Sequence, residues 1–298
     1  MSSLFLSISQ DTTLHLHITE PRKDSSKPLL IFLHYWGGSS LTWYKLTSVG
    51  SSSSLTSDYP TASMDLRGWG KSTGPGQDNG RAYSITTMAG DIASAIVQLY
   101  QDADTKTLLD HGFILVGHSM GAKVALAALY TLPAHLLQEL KGILLVAPAP
   151  PAALVLPPEM KKQQKTAYDS EASVRWILAN VLAEGRNLTE TDTQNVVRDS
   201  LSGNALAKAA WPTYGMAEDV SEDVKHVFQS SPARGVSIHV RVLAGELDIV
   251  EPRERVEKEV CQFLRDAGAR VSFRIVPGVK HLIPLESPGD VYEEITIF

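Results

Sequence analysis

The sequence predicts an α/β fold, a doubly wound and mostly parallel eight-stranded sheet with a helical cap inserted late in its order. Three observations carry that expectation. Short, continuous apolar runs recur along the chain, amphipathic helical patterns separate them, and one long helical stretch interrupts the alternation. Continuous apolar runs mark parallel strands buried on both faces, and their alternation with helices implies a doubly wound sheet.

The chain opens on two alternating segments, residues 5–9 and 14–18, with Asp11-Thr12-Thr13 as a turn between them. They read as a hairpin at one edge of the sheet. His15 and His17 share one face of the second segment, opposite the leucines. They read as a solvated strand face rather than a metal pair, because no further ligand lies nearby. Apolar runs follow at residues 29–33, 113–116, 143–146 and 240–243. A shorter run at 61–64 precedes Asp65, and residues 271–276 alternate like an outer strand. Ile85, Met88, Ile92, Ala95, Ile96 and Leu99 recur at helical spacing, as do Val124, Leu126, Ala127 and Leu129. Ligands of such a sheet are expected at the carboxyl ends of its strands.

Between Pro148 and Pro232 the regularity breaks. Prolines open the stretch, helical patterns follow at 173–182 and 191–201, and no convincing strand occurs. The expected division is therefore a core of residues 1–147 and 233–298, with residues 148–232 as a helical cap over the strand ends.

The strongest chemical signal is Gly117-His118-Ser119-Met120-Gly121, directly after one apolar run and directly before a helix. Small residues on either side let neighbouring backbone approach while Ser119 takes a strained turn. The helix amino end beside it favours developing negative charge. A serine hydroxyl is a weak nucleophile and needs a base within hydrogen-bond reach. His281, after the last strand, is the expected base, and Asp248, in the turn after the 240–243 run, is the expected acid. Glu246 is the rival acid, but it lies closer to the strand end and should point elsewhere.

These motifs resemble those of the α/β-hydrolase superfamily, taken in order. The resemblance rests on Leu33-His34-Tyr35-Trp36-Gly37-Gly38-Ser39-Ser40, Asp65-Leu66-Arg67-Gly68-Trp69-Gly70-Lys71-Ser72, the Ser119 motif, Gly245-Glu246-Leu247-Asp248 and His281. It spans roughly residues 4–288 and is closest to the serine-nucleophile esterase, lipase and haloperoxidase-like branch. Relatives that dehalogenate alkanes or open epoxides carry aspartate at the nucleophile position, and Ser119 argues against both. The resemblance implies oxyanion-hole N–H groups at Trp36 and Met120. The family usually has His-Gly where this chain has His34-Tyr35, so the loop is expected to be shaped differently. Asp65, Arg67 and Gly68 are expected to shape a bracing loop. His34, Tyr35, His118, Trp176 and Trp211 are the expected pocket residues. The tail after Pro288 is short for the family's last helix, so that end is expected to be less well covered.

Together these readings imply hydrolysis of a carboxylic ester or related acyl bond through an acyl-serine. Alternatives remain C–C bond hydrolysis, a lyase or cyclase step, or perhydrolysis on the same scaffold, and a triad-bearing small-molecule receptor. The 298 residues are 43% hydrophobic and 20% charged with net charge −6, which suits a globular chain and gives no nucleic-acid surface. The small basic patch of Lys161, Lys162 and Lys165 reads as a solvated helix face. The single cysteine, Cys261, precludes an internal disulfide and reads as a buried apolar residue. The start lacks a basic segment and a long apolar stretch, so neither a signal peptide nor a membrane span is expected. A cytoplasmic location follows as an expectation, and the Asn187-Leu188-Thr189 sequon carries little weight. No cofactor or metal is expected. The expected partner is a small, apolar acyl substrate.

Overall fold

Each apolar run becomes a strand. The computed structural model describes residues 2–21, 25–230 and 238–298. Its strands are β1 (Ser2–Ser7), β2 (Thr13–Thr19), β3 (Leu29–Leu33), β4 (Thr61–Met64), β5 (Phe113–His118), β6 (Leu140–Val146), β7 (His239–Gly245) and β8 (Arg270–Val276). They form one eight-stranded sheet in the order β1-β2-β4-β3-β5-β6-β7-β8. β2 pairs antiparallel with β1 and with β4, and every other pairing is parallel. The helices that matter below are α1 (Ile85–Gln101), α2 (Met120–Thr131), α3 (Pro158–Lys165), α4 (Glu171–Ile177), α5 (Glu190–Ser202), α6 (Ala205–Ala210), α7 (Ser221–Ser230) and α8 (Pro288–Thr296).

Alternate residues of the central strands feed two cores. Leu29, Ile31 and Leu33 of β3 face α1 and α2, whereas Leu30 and Phe32 face Trp43, Leu46 and α8. Each such aliphatic side chain contributes roughly 1.5–3 kcal/mol on burial. Because both faces are covered, β3 and β5 can be apolar at every position, and all their residues are buried. The tail departs from expectation here. Pro288 starts α8, where its missing N–H costs nothing, and Val291 and Ile295 are fully buried in the second core.

His15 also departs from the solvated-face reading. It is buried, with Nδ1 2.8 Å from Asp65 Oδ2 and Nε2 3.0 Å from Ser3 Oγ. Its ring packs against Phe5, 4.9 Å between centroids. The cause is tertiary: β1 supplies Ser3 and Phe5, and the loop after β4 supplies Asp65.

The helical stretch lies between β6 and β7, and among its described residues it holds no strand. The expected far boundary, Pro232, falls outside the described residues. Two of its helices start on capping boxes. Ser170 caps α4 reciprocally with Ser173, and Thr189 caps α5 reciprocally with Asp192. The entering and leaving chains meet: Leu154 N donates to Met216 O at 2.8 Å, and Val220 N to Pro151 O at 2.9 Å. Lys123 of α2 reaches up between them. Its Nζ donates to Ala152 O at 3.0 Å and Met216 O at 3.3 Å, and the residue is fully buried. Burial pushes this ammonium down to about 8, opposed by Glu218, Asp219 and Glu251. Farther along, Tyr44 Oη and Lys45 Nζ both hold the buried Asp192 carboxylate at 2.8 Å.

Candidate active site

Ser119 joins β5 to α2 with φ 54° and ψ −114°, a left-handed conformation that costs a non-glycine residue roughly 1–3 kcal/mol. The turn is tight because backbone closes in around it. A Cβ on Gly121 would stand 2.5 Å from the carbonyl oxygens of Leu33 and His34, and one on Gly117 would stand 2.5 Å from Ala122 Cα. Small residues on both sides of the serine are therefore a packing requirement. Ser119 N donates to Val146 O at 3.0 Å, which ties the elbow to the end of β6.

His281 follows β8, and its Nδ1 lies 2.8 Å from Asp248 Oδ2, with both side chains buried. The ionised carboxylate accepts, so Nδ1 carries the hydrogen and the neutral ring presents a bare Nε2. Asp248 Oδ1 is held by Val250 N at 2.8 Å and Glu251 N at 3.1 Å. Glu246 points elsewhere: its Oε2 accepts from Gly278 N at 2.9 Å. Burial by itself would lower the His281 pKa. The Asp248 charge and hydrogen bond, with Glu251 and Glu286, outweigh burial and raise it. The His281 backbone is pinned from two sides, its N–H donating to Leu182 O at 3.0 Å and its carbonyl accepting from His118 Nε2 at 2.9 Å. No hydrogen bond joins Ser119 to His281 in this arrangement, and such contacts commonly tighten only with substrate in place.

The loop after β3 settles the place of Tyr35. Tyr35 keeps an ordinary negative φ, and the left-handed position is Gly37, with φ 100°. A Cβ on Gly37 would also run into the Tyr168 ring at 2.4 Å. His34 Nδ1 donates to Tyr35 O at 2.7 Å, and its Nε2 accepts from Leu66 N at 2.9 Å. That pattern requires a neutral ring, and burial holds its pKa down at about 4. Trp36 bridges two parts of the molecule. Its carbonyl accepts from Tyr168 Oη at 2.7 Å, and its indole Nε1 donates to Lys208 O at 3.1 Å.

Ser119 and His281 open onto one cavity of about 200 Å³. Its walls are mostly apolar and come largely from the helical stretch, including Met160, Tyr168, Leu182 and Trp211. Among the described residues, no three His, Cys, Asp or Glu side chains are grouped to hold a metal ion.

The α/β-hydrolase family profile matches residues 30–295. The chain belongs to the α/β-hydrolase family. Bromoperoxidase from Bacillus anthracis superposes with a TM-score of 0.75 over 99% of each chain, at 15% identity. A thermophilic esterase from Thermogutta terrifontis has a TM-score of 0.69 over 100% of this chain and 97% of its own, at 21% identity. Both are likenesses of fold. Protein phosphatase methylesterase 1 of Mus musculus is 30% identical over 125 residues, 42% of this chain and 28% of that protein. Probable lysophospholipase BODYGUARD 1 of Arabidopsis thaliana is 27% identical over 140 residues, 47% of this chain and 27% of that protein. The chain thus spans less than a third of the length of the curated relatives it matches.

The pocket residues expected from sequence fall into three groups on this hydrolase scaffold. Tyr35 and Trp211 line the cavity, as does Trp36, expected as an oxyanion-hole donor, while His34 and His118 are fully buried beside it and do not. Trp176 is a correction: it is 53% exposed on α4, whereas its neighbour Ile177 lines the cavity. Adjacent helical residues point about 100° apart, so only one of the pair can face inward. Asp65 braces loops as expected, accepting from Ser40 N at 2.6 Å and Lys71 N at 2.8 Å. Arg67 is spent on a bidentate pair with Asp91, at 2.7 and 2.6 Å. Cys261 is buried and its thiol is pushed up to about 12, which suits a packing role. Sequence reasoning missed Tyr168, Glu251 and Arg255, all cavity residues. Glu251, three residues beyond the acid and just before Pro252, reads in sequence as an ordinary loop charge.

Proposed function

We propose that this chain is a serine hydrolase that cleaves a carboxylic ester, or a related acyl bond, through an acyl-serine intermediate. One observation carries the reading: Ser119, held in a strained elbow, faces the same cavity as His281, whose Nδ1 is bonded to Asp248. Ser119 Oγ attacks the carbonyl carbon while its proton passes to His281 Nε2. The oxyanion is met by the N–H groups of Met120, first residue of α2, and of Trp36, whose backbone Tyr168 steadies. Collapse expels the alcohol, which takes its proton from Nε2. Water then repeats the sequence and frees the acid.

Residues 148–232 act in this reading as a cap, because their helices wall the cavity opposite the strand ends. Apolar walls suit an acyl chain. The likeness to a methylesterase, a probable lysophospholipase and an esterase lends support to ester chemistry. Ser119→Ala should abolish turnover of a small activated ester and labelling by a fluorophosphonate probe, with circular dichroism unchanged. Undiminished labelling of the alanine variant would overturn the reading.

A further inference from the structure

An apolar acyl pocket has no need of an ion pair, yet this cavity has a half-buried one in its wall. Glu251 is 2% exposed and lines the cavity together with Arg255. Arg255 binds one carboxylate oxygen only: its Nε and Nη2 approach Glu251 Oε2 at 3.2 and 2.9 Å. The same guanidinium also donates to Val250 O, which fixes its plane. No described residue bonds the second oxygen, Oε1, and it does not fall among the sealed, unsatisfied polar atoms of the interior. Burial pushes the Glu251 carboxyl up to about 7 against the pull of Arg255, and once ionised it offers about four acceptor sites, so substantial capacity remains. Burying a charge is costly even when paired, and an all-apolar wall would hold an acyl chain without that cost.

The position of Glu251 indicates which half of an ester it meets. Its N–H donates to Asp248 Oδ1 at 3.1 Å, so its backbone is locked to the triad acid. His281 must hand its proton to the departing alcohol oxygen, so the wall beside His281 flanks the alcohol half. Glu251 lines the same cavity as His281, and its loop carries the Asp248 that holds the His281 ring, which places it on that side. Ile249 and Val250 of the same loop continue the wall outward, and Ile249 is 60% exposed at the mouth. A cationic group on the alcohol would meet Arg255, which already neutralises the site. A hydroxyl would not.

Resting on the serine-esterase reading, we infer that Glu251 is a specificity-determining residue. It accepts a hydrogen bond from a second hydroxyl on the alcohol half, so the preferred substrates are acyl esters of a diol or polyol. Arg255 is the positioning residue that holds the carboxylate in the wall.

The test compares two butyrate esters of three-carbon alcohols, propyl butyrate and 2,3-dihydroxypropyl butyrate, by kcat/KM normalised to their rates with hydroxide. The full chain should prefer the dihydroxypropyl ester. Glu251→Leu should cut that preference roughly tenfold to a hundredfold, the usual worth of a hydrogen bond to a charged group. Glu251→Gln keeps the shape and a weaker acceptor, so it should retain part of the preference and covers the case in which the leucine variant fails to fold. Turnover of both esters without discrimination, or a preference unchanged in the variants, overturns the inference alone. If neither ester is turned over and Ser119 resists fluorophosphonate, the serine reading fails and the inference falls with it.

Discussion

Ser119, Asp248 and His281 each stand just beyond a strand of one sheet, on backbone gripped by neighbouring strands and helices. The opposite wall of the cavity is made of short helices, joined to the sheet through two adjacent chain crossings and a few buried polar bonds. Positions on the sheet are determined by hydrogen-bond ladders and two filled cores, so small sequence changes there shift little. The helical wall depends instead on single residues: Lys123 at the crossings, Asp192 at the start of α5, and Tyr168 against Trp36. The contrast teaches that the placement of Ser119, Asp248 and His281 and the placement of most of the cavity wall rest on separable parts, and each prediction below breaks or sharpens that separation.

The largest effect belongs to the sheet side. Asp248→Asn should lose about 10⁴-fold in kcat/KM, because the amide favours the wrong tautomer of His281. Every ester should suffer alike, and Glu246→Gln should do far less. In the unaltered protein kcat/KM should fall as pH drops through the His281 pKa. That group must be neutral to act as base, so its raised pKa puts the acid limb above the ordinary value of about 6.5. A limb well below that value would show that Asp248 does not dominate the ring.

The next effect concerns the crossings. Folded Lys123 gives up its proton near pH 8, whereas the unfolded chain holds it to about 10.5. The folded state therefore binds fewer protons in that window, and its stability should rise with pH. The gain from this group is roughly 3 kcal/mol by the pKa difference. Chemical denaturation at pH 7.5 and 10 should show most of that increment in the parent protein and not in Lys123→Met. Equal slopes for the two proteins would mean that Lys123 does not titrate as buried.

The two tryptophans give the smallest pair of effects and the sharpest contrast. Trp211→Ala enlarges the cavity and should alter relative kcat/KM among acyl chain lengths by roughly 10–200-fold per methylene-sized misfit. Trp176→Ala, on the exposed side of α4, should change stability by no more than about 0.5 kcal/mol and leave chain-length preference alone. Uniform losses from Trp211→Ala would assign that residue to the core and remove the cap from specificity.

Much of this was legible in the residues. All eight strands, the doubly wound α/β class and the helical interruption follow from periodicity, because sheet burial imposes an apolar pattern that survives in a single sequence, whereas the α/β-hydrolase resemblance rests on the motifs. Ser119 is legible because an elbow needs small neighbours at set spacing, and Asp248 and His281 because strand ends locate them. His15 was not legible, since an edge strand and a later loop cover it. Neither was the difference between Trp176 and Trp211, because a helix without a strong apolar face does not reveal which side looks inward.

The sequence by itself determined the sheet and the order of the three polar residues along it, since both depend on local pattern and on strand ends. Tertiary structure alone decided what surrounds them. Gly37 rather than Tyr35 takes the left-handed turn because Tyr168 packs there, and Lys123 is buried because two distant carbonyls meet above it. Glu251 stands in the cavity wall because Arg255, one helical turn along, draws its carboxylate inward. Such outcomes arise from contacts between residues far apart in the chain or from the direction of a side chain at a bend. No spacing of residue types encodes either.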